Sequence, residues 1–344
     1  MVEGQLGVGI VGIGWVAQEH IRAWSANPHS RVVALASHSR GNAEEAARSH
    51  GLRHASISTD WNDLIRDPAV DVVDICSMNH LHVPQALAAA EAGKHLLIEK
   101  PASHTLDDLR RLQTTIRETG VKSLVGFELH WSPYFKNVRS MIDNDFLGPV
   151  FYAECDYFSG NWENWYAGFD WVRTKEKGGS ALPAAGVHAV DAIRQFVDSD
   201  AVEVFAYSGN FTGTMEWDAT IVALIRFRSG AIGKVGCVLE GNMKYQFNVR
   251  LHGPRGAIVN DRFLTQLLPG QTDWAQCPTV LPDTPDVAHH PFQEEIDHLV
   301  ECIREDRTPL VDIEDAARTT EIVLAAEQSA AEGRPVSLPL PGKL

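Results

Sequence analysis

A short apolar run that leads directly into a glycine-rich turn is the feature that most constrains how this chain folds. Residues 7–11 form a β-competent run, and the next six residues read Gly-Ile-Gly-Trp-Val-Ala before a segment of helical character. Dinucleotide-binding folds need this order, because Gly12 permits a tight turn, Gly14 lets the backbone approach a pyrophosphate, and Ala17 lets helix and strand pack closely. The helix N-terminus then favours the phosphate anion, whereas a turn that serves only packing is the alternative. The residues predicted to bind a dinucleotide here are Gly12, Gly14, Trp15 and Val16.

The first third of the chain has the pattern of an α/β domain. From residue 7 to about residue 126, β-competent runs alternate with helical segments. Such alternation predicts a parallel sheet with crossover helices. We therefore predict that residues 1–126 form a Rossmann domain with a doubly wound parallel sheet.

Two capping patterns predict where helices begin within this domain. Asn42, followed by Glu45 three residues later, predicts the start of the helix after the second strand. Thr105 with Asp108 predicts the start of a later helix, and Gly120 predicts its end.

The second part of the chain has a different pattern. Longer segments of alternating polarity, separated by turns such as Ser229-Gly230, predict a large open sheet that is mostly antiparallel. Helices are expected near residues 133–145, 291–304 and 313–333. We predict that residues 127–344 form one α+β domain that binds substrate and mediates oligomerisation.

One strand of this sheet is apolar on both faces. Ile221 and Ile225 point to one side, and Val222 and Leu224 point to the other. Helices cover one face, so a second subunit is the expected cover of the other. This pattern predicts a homo-oligomer, either a dimer or a tetramer.

Composition excludes several classes of protein. A chain of 344 residues that is 44% hydrophobic is long enough for two domains. Its five cysteines are widely spaced and form no C-x-x-C pair, which indicates reduced thiols in a cytoplasmic protein. The net charge of −15 argues against a nucleic-acid partner. Neither a long apolar run nor an export signal is evident, so we expect no membrane partner.

Two further motifs supply groups suited to hydride transfer. Glu99-Lys100-Pro101 follows an apolar run, and Gly186-Val187-His188 lies beyond the middle of the chain. Removing a hydride from a carbinol carbon requires loss of the hydroxyl proton, a task that suits His188, while Lys100 supplies a cation for the developing alkoxide. The alternatives are an exposed lysine at a strand end and a histidine with only a structural role.

The loop after the second strand bears on the choice of cofactor. NAD-binding proteins generally carry a carboxylate there, whereas this chain reads Ser37-His38-Ser39-Arg40 and has no carboxylate before Glu44. Hydroxyl and guanidinium donors suit a 2′-phosphate. We therefore predict NADP as cofactor, bound in part by Ser37, Ser39 and Arg40, with NAD as the alternative.

Aromatic and polar residues that suit a carbohydrate are concentrated between residues 131 and 173. Flat aromatic faces stack on sugar C–H groups while neighbouring polar groups bind the hydroxyls, although packing within a sheet or an interface is the alternative. The substrate contacts predicted from this segment are Trp131, Trp162, Trp165 and Arg173. The pair His289-His290 has no carboxylate or cysteine at ligand spacing, so we predict no metal site.

Taken together, these motifs resemble those of the glucose-fructose oxidoreductase / inositol dehydrogenase (Gfo/Idh/MocA) family over nearly the whole chain. The segments that carry the resemblance are Gly12-Ile13-Gly14-Trp15-Val16-Ala17 with His20, Asn79-His80-Leu81-His82, Glu99-Lys100-Pro101, Gly178-Gly179-Ser180 and Gly186-Val187-His188. The resemblance implies a Rossmann domain, a second domain whose open sheet often forms the oligomer interface, and oxidation or reduction of a secondary alcohol on a sugar or cyclitol.

The resemblance also assigns roles to individual residues. Lys100 matches the family's active-site lysine, and His188 matches its catalytic histidine, which also contacts substrate. His130 lies in a segment that borders the active site in the family, so we expect it to contact substrate. The further residues expected at the cofactor are Asn79, His82, Glu99 and Lys100.

One position departs from the family pattern. Members that act on sugars or inositols commonly carry an aspartate four residues before the histidine, where this chain has Ala184. Asp191, three residues after His188, either orients the imidazole or is a solvated helix residue. Three functions therefore remain open: an NADP-linked dehydrogenase or reductase, a non-net-redox enzyme with tightly held nicotinamide, and a dinucleotide sensor without catalysis.

Overall fold

The computed structural model describes residues 4–160, 170–277, 279 and 290–341. These residues form two compact units, Met1–Glu128 with Pro291–Ala317 and Leu129–His290 with Arg318–Leu344. The initial segment of the first unit thus ends at Glu128, two residues after the predicted boundary at residue 126. It also contains a later segment, residues 291–317, that the sequence placed in the second domain.

The first unit contains a six-stranded parallel sheet. Its strands are β1 (Leu6–Val11), β2 (Ser30–Ala36), β3 (Ser56–Ser58), β4 (Val72–Ile75), β5 (His95–Ile98) and β6 (Ser123–Val125). Their order is β3-β2-β1-β4-β5-β6, with every pair parallel. Strands covered on both faces are mostly apolar, and β4, which carries one acidic residue (Asp74), is buried along its whole length. The predicted doubly wound sheet is confirmed.

Crossover helices connect these strands. They are α1 (Trp15–Ala26), α2 (Arg40–Ser49), α3 (Trp61–Arg66), α4 (His82–Glu91) and α5 (Leu106–Thr119). A short 3₁₀ turn, Asn79–Leu81, precedes α4.

The two predicted helix caps have different outcomes. At α5, the Thr105 hydroxyl accepts a hydrogen bond from the Asp108 N–H (3.2 Å), and the helix ends at Gly120 with φ +70°, as predicted. At α2, the predicted cap at Asn42 is wrong. The N-cap is Ser39, whose hydroxyl accepts a hydrogen bond from the Asn42 N–H at 3.4 Å, so the helix begins one turn earlier than expected.

A large mixed sheet organises the second unit. Its strands are β7 (Tyr152–Gly160), β8 (Ala201–Gly209), β9 (Thr220–Phe227), β10 (Ile232–Gly241), β11 (Gln246–Gly253), β12 (Gly256–Val259), β13 (Arg262–Thr265), β14 (Ala275–Gln276) and β15 (Val336–Ser337). The order is β14-β13-β12-β11-β7-β10-β9-β8-β15, and only the β7–β10 pair is parallel. The predicted, mostly antiparallel sheet is therefore confirmed.

Helices cover one face of this sheet. Those that precede the β8 strand are α6 (Pro133–Asp143), the short α7 (Lys175–Gly178) and α8 (Val187–Val197). The nearly fully buried α8 packs on β7 and β10. The opposite face keeps apolar side chains at its surface: Val222 is 41% and Leu224 50% exposed, while Ile221 and Ile225 are buried.

The chain ends with α9 (Phe292–Arg304) and α10 (Ile313–Glu332). Helix α9 belongs to the first unit, where it packs along α1. The Phe292 ring lies 5.0 Å from the His20 ring, and the Asn27 amide donates a hydrogen bond to Asp297 at 2.6 Å. These contacts explain why a segment distant in sequence completes the first unit. Within the described residues, no helix has both the length and the apolar character needed to cross a bilayer.

Candidate active site

The glycine turn after β1 is shaped by two separate constraints. Gly12 has φ +87°, and a Cβ atom at this position would lie 2.5 Å from the Ser77 Cα atom. Gly14 is the N-cap of α1 with φ −93°, and a Cβ atom there would meet nothing within 4 Å. Gly12 is therefore required by the fold itself, whereas Gly14 leaves open space beside the start of a helix.

The start of α1 has the properties of an anion site. No side chain caps this helix, and its first turn contains no acidic residue. Backbone N–H groups and the helix dipole favour a phosphate at such a terminus. Ala17 is fully buried, as expected for close packing of the helix against the sheet.

The loop after β2 presents hydroxyl and guanidinium groups. Ser37 accepts a hydrogen bond from the Ser39 N–H at 3.3 Å, and Ser39 caps α2. The Arg40 guanidinium is 59% exposed and lies 3.6 Å from Glu44. Three predicted cofactor contacts are thus neighbours on one loop.

His82 connects two other loops of the first unit. Its Nδ1 atom lies 2.9 Å from the Pro101 carbonyl oxygen, and its Nε2 atom lies 3.0 Å from the Ser77 carbonyl oxygen. Burial lowers the pKa of His82, and a neutral imidazole donates through only one nitrogen. Both ring nitrogens face backbone carbonyl oxygens, and the neutral ring donates to one of the two. A direct cofactor contact for His82 stays a prediction.

The Glu99-Lys100-Pro101 motif begins directly after β5, at the carboxyl end of the strand. In open parallel sheets, ligands bind outside this edge, and the Gly12 turn follows the carboxyl end of β1. The Glu99 carboxylate is nearly buried, and its Oε2 atom accepts a hydrogen bond from the Lys100 N–H at 3.2 Å. The first unit therefore carries the glycine turn and Lys100 at the same edge of its sheet.

In the second unit, His188 lies at the start of α8. A π-helical turn, Leu182–Gly186, precedes this helix, and such turns are frequent at functional sites. Gly186 approaches β10 so closely that a Cβ atom would lie 2.8 Å from the Cys237 Cβ atom. Ala184 lies within the π turn and is 6% exposed, so a buried methyl group occupies the position at which the resemblance implies an aspartate.

Asp191 has partners that the sequence did not indicate. Its Oδ2 atom lies 2.6 Å from the His130 Nε2 atom, and its Oδ1 atom accepts a hydrogen bond from the Thr319 hydroxyl at 2.9 Å. The Arg194 guanidinium is 3.5 Å away. Burial opposes ionisation, but the charge and hydrogen bond of His130 lower the pKa of Asp191 to about 2. The residue is therefore not solvated, and its carboxylate holds His130.

The predicted substrate contacts are only partly described. His130 and Trp131 lie on the short turn Glu128–Trp131, with ring centroids 6.0 Å apart, and the Trp131 side chain is buried. Gln195 contacts the second ring nitrogen of His130 at 3.3 Å. Arg173 ends the turn Asp170–Arg173. Trp162, Trp165 and His289 lie outside the described residues.

In comparison with known proteins, the chain matches the two domain models of one protein family. Residues 6–127 match the oxidoreductase family, NAD-binding Rossmann fold (GFO_IDH_MocA), and residues 139–338 match the C-terminal alpha/beta domain of the same family. The uncharacterized oxidoreductase YrbE of Bacillus subtilis (strain 168) is 26% identical over 344 residues, which cover 97% of each chain.

Two further relatives have named substrates. The scyllo-inositol 2-dehydrogenase (NAD(+)) of the same organism is 25% identical, with 98% of this chain and 97% of the relative covered. A solved structure of levoglucosan dehydrogenase with NADH and levoglucosan has a TM-score of 0.85 at 24% identity, covering 98% of this chain and 100% of that one.

The two glycines of the turn make a matched pair for experiment. Gly12→Ala should lower the free energy of unfolding by about 1–3 kcal/mol, because alanine at positive φ is strained and its methyl group meets the Ser77 backbone. Gly14→Ala should keep the wild-type melting temperature but weaken dinucleotide binding, since its methyl group enters the open space at the helix start. Thermal denaturation and calorimetric titration measure both effects. Unchanged stability in the first variant, or unchanged cofactor affinity in the second, would contradict these assignments.

Proposed function

Because the chain belongs to the Gfo/Idh/MocA oxidoreductase family, we propose that it transfers a hydride between a nicotinamide dinucleotide and a secondary alcohol or ketone of a sugar, sugar derivative or cyclitol. The observation that carries this proposal is the uncapped start of α1 at Gly14 on the same sheet edge as Lys100. Relatives named for scyllo-inositol and levoglucosan support a cyclic polyol as substrate.

The proposed chemistry divides two tasks between Lys100 and His188. When bound, the nicotinamide supplies the hydride acceptor. Oxidation of the carbinol leaves a proton to be removed from its oxygen, and we assign this step to the His188 imidazole. The Lys100 ammonium stabilises the negative charge that develops on that oxygen. Because position 184 is alanine, His188 passes the proton to solvent rather than to a neighbouring carboxylate.

A second candidate is an enzyme of the same fold that oxidises and then re-reduces one sugar carbon without net redox change. Ala184 favours this candidate, because an apolar side chain replaces the proton acceptor usual for polyol oxidation. Such an enzyme would retain its nicotinamide through every turnover.

For the cofactor, we propose that NADP is preferred over NAD. Ser37, Ser39 and Arg40 supply donors on the loop after β2, and the first carboxylate that follows in the sequence, Glu44, lies 3.6 Å from Arg40. A carboxylate in this loop would repel a 2′-phosphate, whereas a guanidinium binds one. The NAD and NADH named with relatives make NAD the alternative.

We further propose that the protein is a homo-oligomer assembled through the exposed face of the nine-stranded sheet. The exposed apolar side chains on and beside this sheet include Phe151, Tyr207, Val222, Leu224 and Ile232. Apolar patches of this kind mark interfaces, and a second copy of the same surface is the common solution.

Replacement of the two proposed catalytic groups tests the chemistry. Lys100→Ala and His188→Ala should each lower kcat by about 10²–10⁴-fold, the usual contribution of a positioned acid–base group, while cofactor affinity changes far less. The rate of oxidation should rise with pH through one ionisation that disappears in His188→Ala. Lys136→Ala and His54→Ala, at exposed sites, serve as controls. Wild-type turnover in either catalytic variant would refute the assignment.

Cofactor choice is tested by variants of a single loop. Arg40→Ala should weaken NADP binding and leave NAD binding nearly unchanged, because it removes the proposed partner of the 2′-phosphate. Ser37→Asp should shift the preference toward NAD. Arg48→Ala, at an exposed site on the same helix, is the control. Equal affinity of the wild-type protein for both cofactors would overturn the proposal.

Assembly is tested by a charge placed in the apolar face. Leu224→Asp should convert the oligomer into monomers, because a carboxylate would have to be buried at the interface. Leu310→Asp, at a similarly exposed leucine of the first unit, should leave the mass unchanged. Light scattering at micromolar concentration measures the mass, and a monomeric wild-type protein would rule the interface out.

A further inference from the structure

A buried group of ionisable side chains lies behind the Glu99-Lys100 motif in the first unit. The His20 Nδ1 atom of α1 lies 2.9 Å from the Asp74 Oδ2 atom of β4. On its other side, the His20 Nε2 atom lies 3.3 Å from the Glu99 Oε1 atom. His20 and Asp74 are fully buried, and Glu99 is 8% exposed. One imidazole therefore lies between two carboxylates in the protein interior.

Asp74 is held by several donors at once. Besides His20, the Trp24 indole N–H donates to its Oδ2 atom at 2.8 Å, and the Cys76 thiol lies 3.3 Å from its Oδ1 atom. Burial raises the pKa of the Cys76 thiol, which therefore stays protonated and donates. These contacts fix the Asp74 carboxyl group beside the His20 ring.

The charge state of His20 follows from these neighbours. Burial alone would lower its pKa, but the Asp74 charge, followed by interactions with Cys76, raises it well above the ordinary value. Because the folded-state pKa is raised, the imidazolium is present below that pKa and is lost as pH rises through it. Glu295 of α9 also faces the cluster. Burial and then Glu128 raise the pKa of Glu295 well above its ordinary value, which favours the neutral carboxyl.

Glu99 transmits the position of His20 to the neighbouring lysine. While its Oε1 atom faces His20, its Oε2 atom accepts the Lys100 N–H. The carboxyl group also packs against Gly126, where an added Cβ atom would lie 3.1 Å from Oε1. The side chain is thus confined on three sides, and its orientation fixes the backbone at Lys100.

We propose that His20 is a positioning residue: its imidazolium, held between Asp74 and Glu99, fixes the Glu99-Lys100 turn relative to the helix that receives the cofactor phosphates. His20 lies on α1, the helix that begins at the glycine turn, and Glu99 follows β5. The ion pair therefore links the phosphate-binding helix to the segment that carries the reacting lysine. The expected effect of His20 on catalysis rests on the proposed function. The ion pair and its effect on the Lys100 backbone do not.

The structural claim is tested without any substrate. In protein labelled with ¹⁵N-histidine and ¹⁵N-lysine, the His20 ring signals, assigned by their loss in His20→Gln, should report an imidazolium that persists above the ordinary histidine pKa of about 6.5. The Lys100 amide signal, assigned through Lys100→Arg, should shift as His20 titrates, because that N–H binds Glu99. A neutral His20 ring at pH 7, or a Lys100 amide indifferent to the replacement of His20, would overturn the proposal.

The catalytic consequence is tested by a double-mutant cycle. His20→Gln and Glu99→Gln should each lower kcat on the order of 10²-fold, the loss expected when a reacting group moves by about 1 Å, with KM little changed. The double variant should lose no more than either single variant, because both break the same contact. His54→Gln is the control. Additive losses would overturn the proposal, and thermal denaturation excludes variants that are merely unfolded.

Failure of the proposed function and failure of the positioning role of His20 would give different results. Absence of turnover in the wild-type protein with every polyol would refute the proposed function while the coupled His20 and Lys100 signals still stood. Turnover that depends on Lys100 but not on His20 would refute the positioning role alone.

Discussion

No side chain fits between Gly12 and the loop after β4, and the organisation of the first unit depends on this close approach. It aligns the ends of two adjacent parallel strands, so that α1 starts at the carboxyl edge with its N–H groups directed beyond the sheet. The same helix then returns alongside β4, where His20 and Trp24 bind Asp74. A backbone contact at one end of the helix and a buried ion pair in its middle therefore hold α1 in one place. The phosphate site and the Lys100 segment both depend on that placement.

Local patterns were enough to predict the elements of this unit. Strand and helix periods, together with the Thr105 cap and the Gly120 end, depend on residues only a few positions apart. The predicted cap of α2 is wrong because Ser39 and Asn42 are both good capping residues, and the hydroxyl of Ser39, the first of the two along the chain, makes the bond. The packing of helix α9 in the first unit could not be predicted from the sequence, for a different reason. Its partners, His20 and Asn27, are about 270 residues away, and no local pattern encodes such packing.

In the candidate site, too, some positions follow from short motifs, whereas others depend on contacts between residues far apart in the sequence. The positions of Lys100 and His188 follow from short motifs that can be read in the sequence. The partner of Asp191 does not: helical spacing pointed to His188, whereas the structure pairs the carboxylate with His130, 61 residues away in sequence. Helical spacing shows which residues of one helix lie on the same face. The hydrogen-bond partners of a buried carboxylate, however, are set by tertiary packing. His20 was visible in the sequence as part of a motif, yet its two carboxylate partners come from β4 and from the residue that follows β5.

Hydride transfer to a cyclic polyol is tested most directly by the absorbance of the nicotinamide. The purified protein would be mixed with NADP⁺ or NAD⁺ and with a panel of sugars and cyclitols that includes levoglucosan and the inositols. An increase in the reduced-nicotinamide band that continues over many turnovers with at least one of them is the predicted result. A flat absorbance with the whole panel, or a tightly bound nicotinamide whose spectrum returns to its starting state after each substrate, would contradict net oxidation of a polyol.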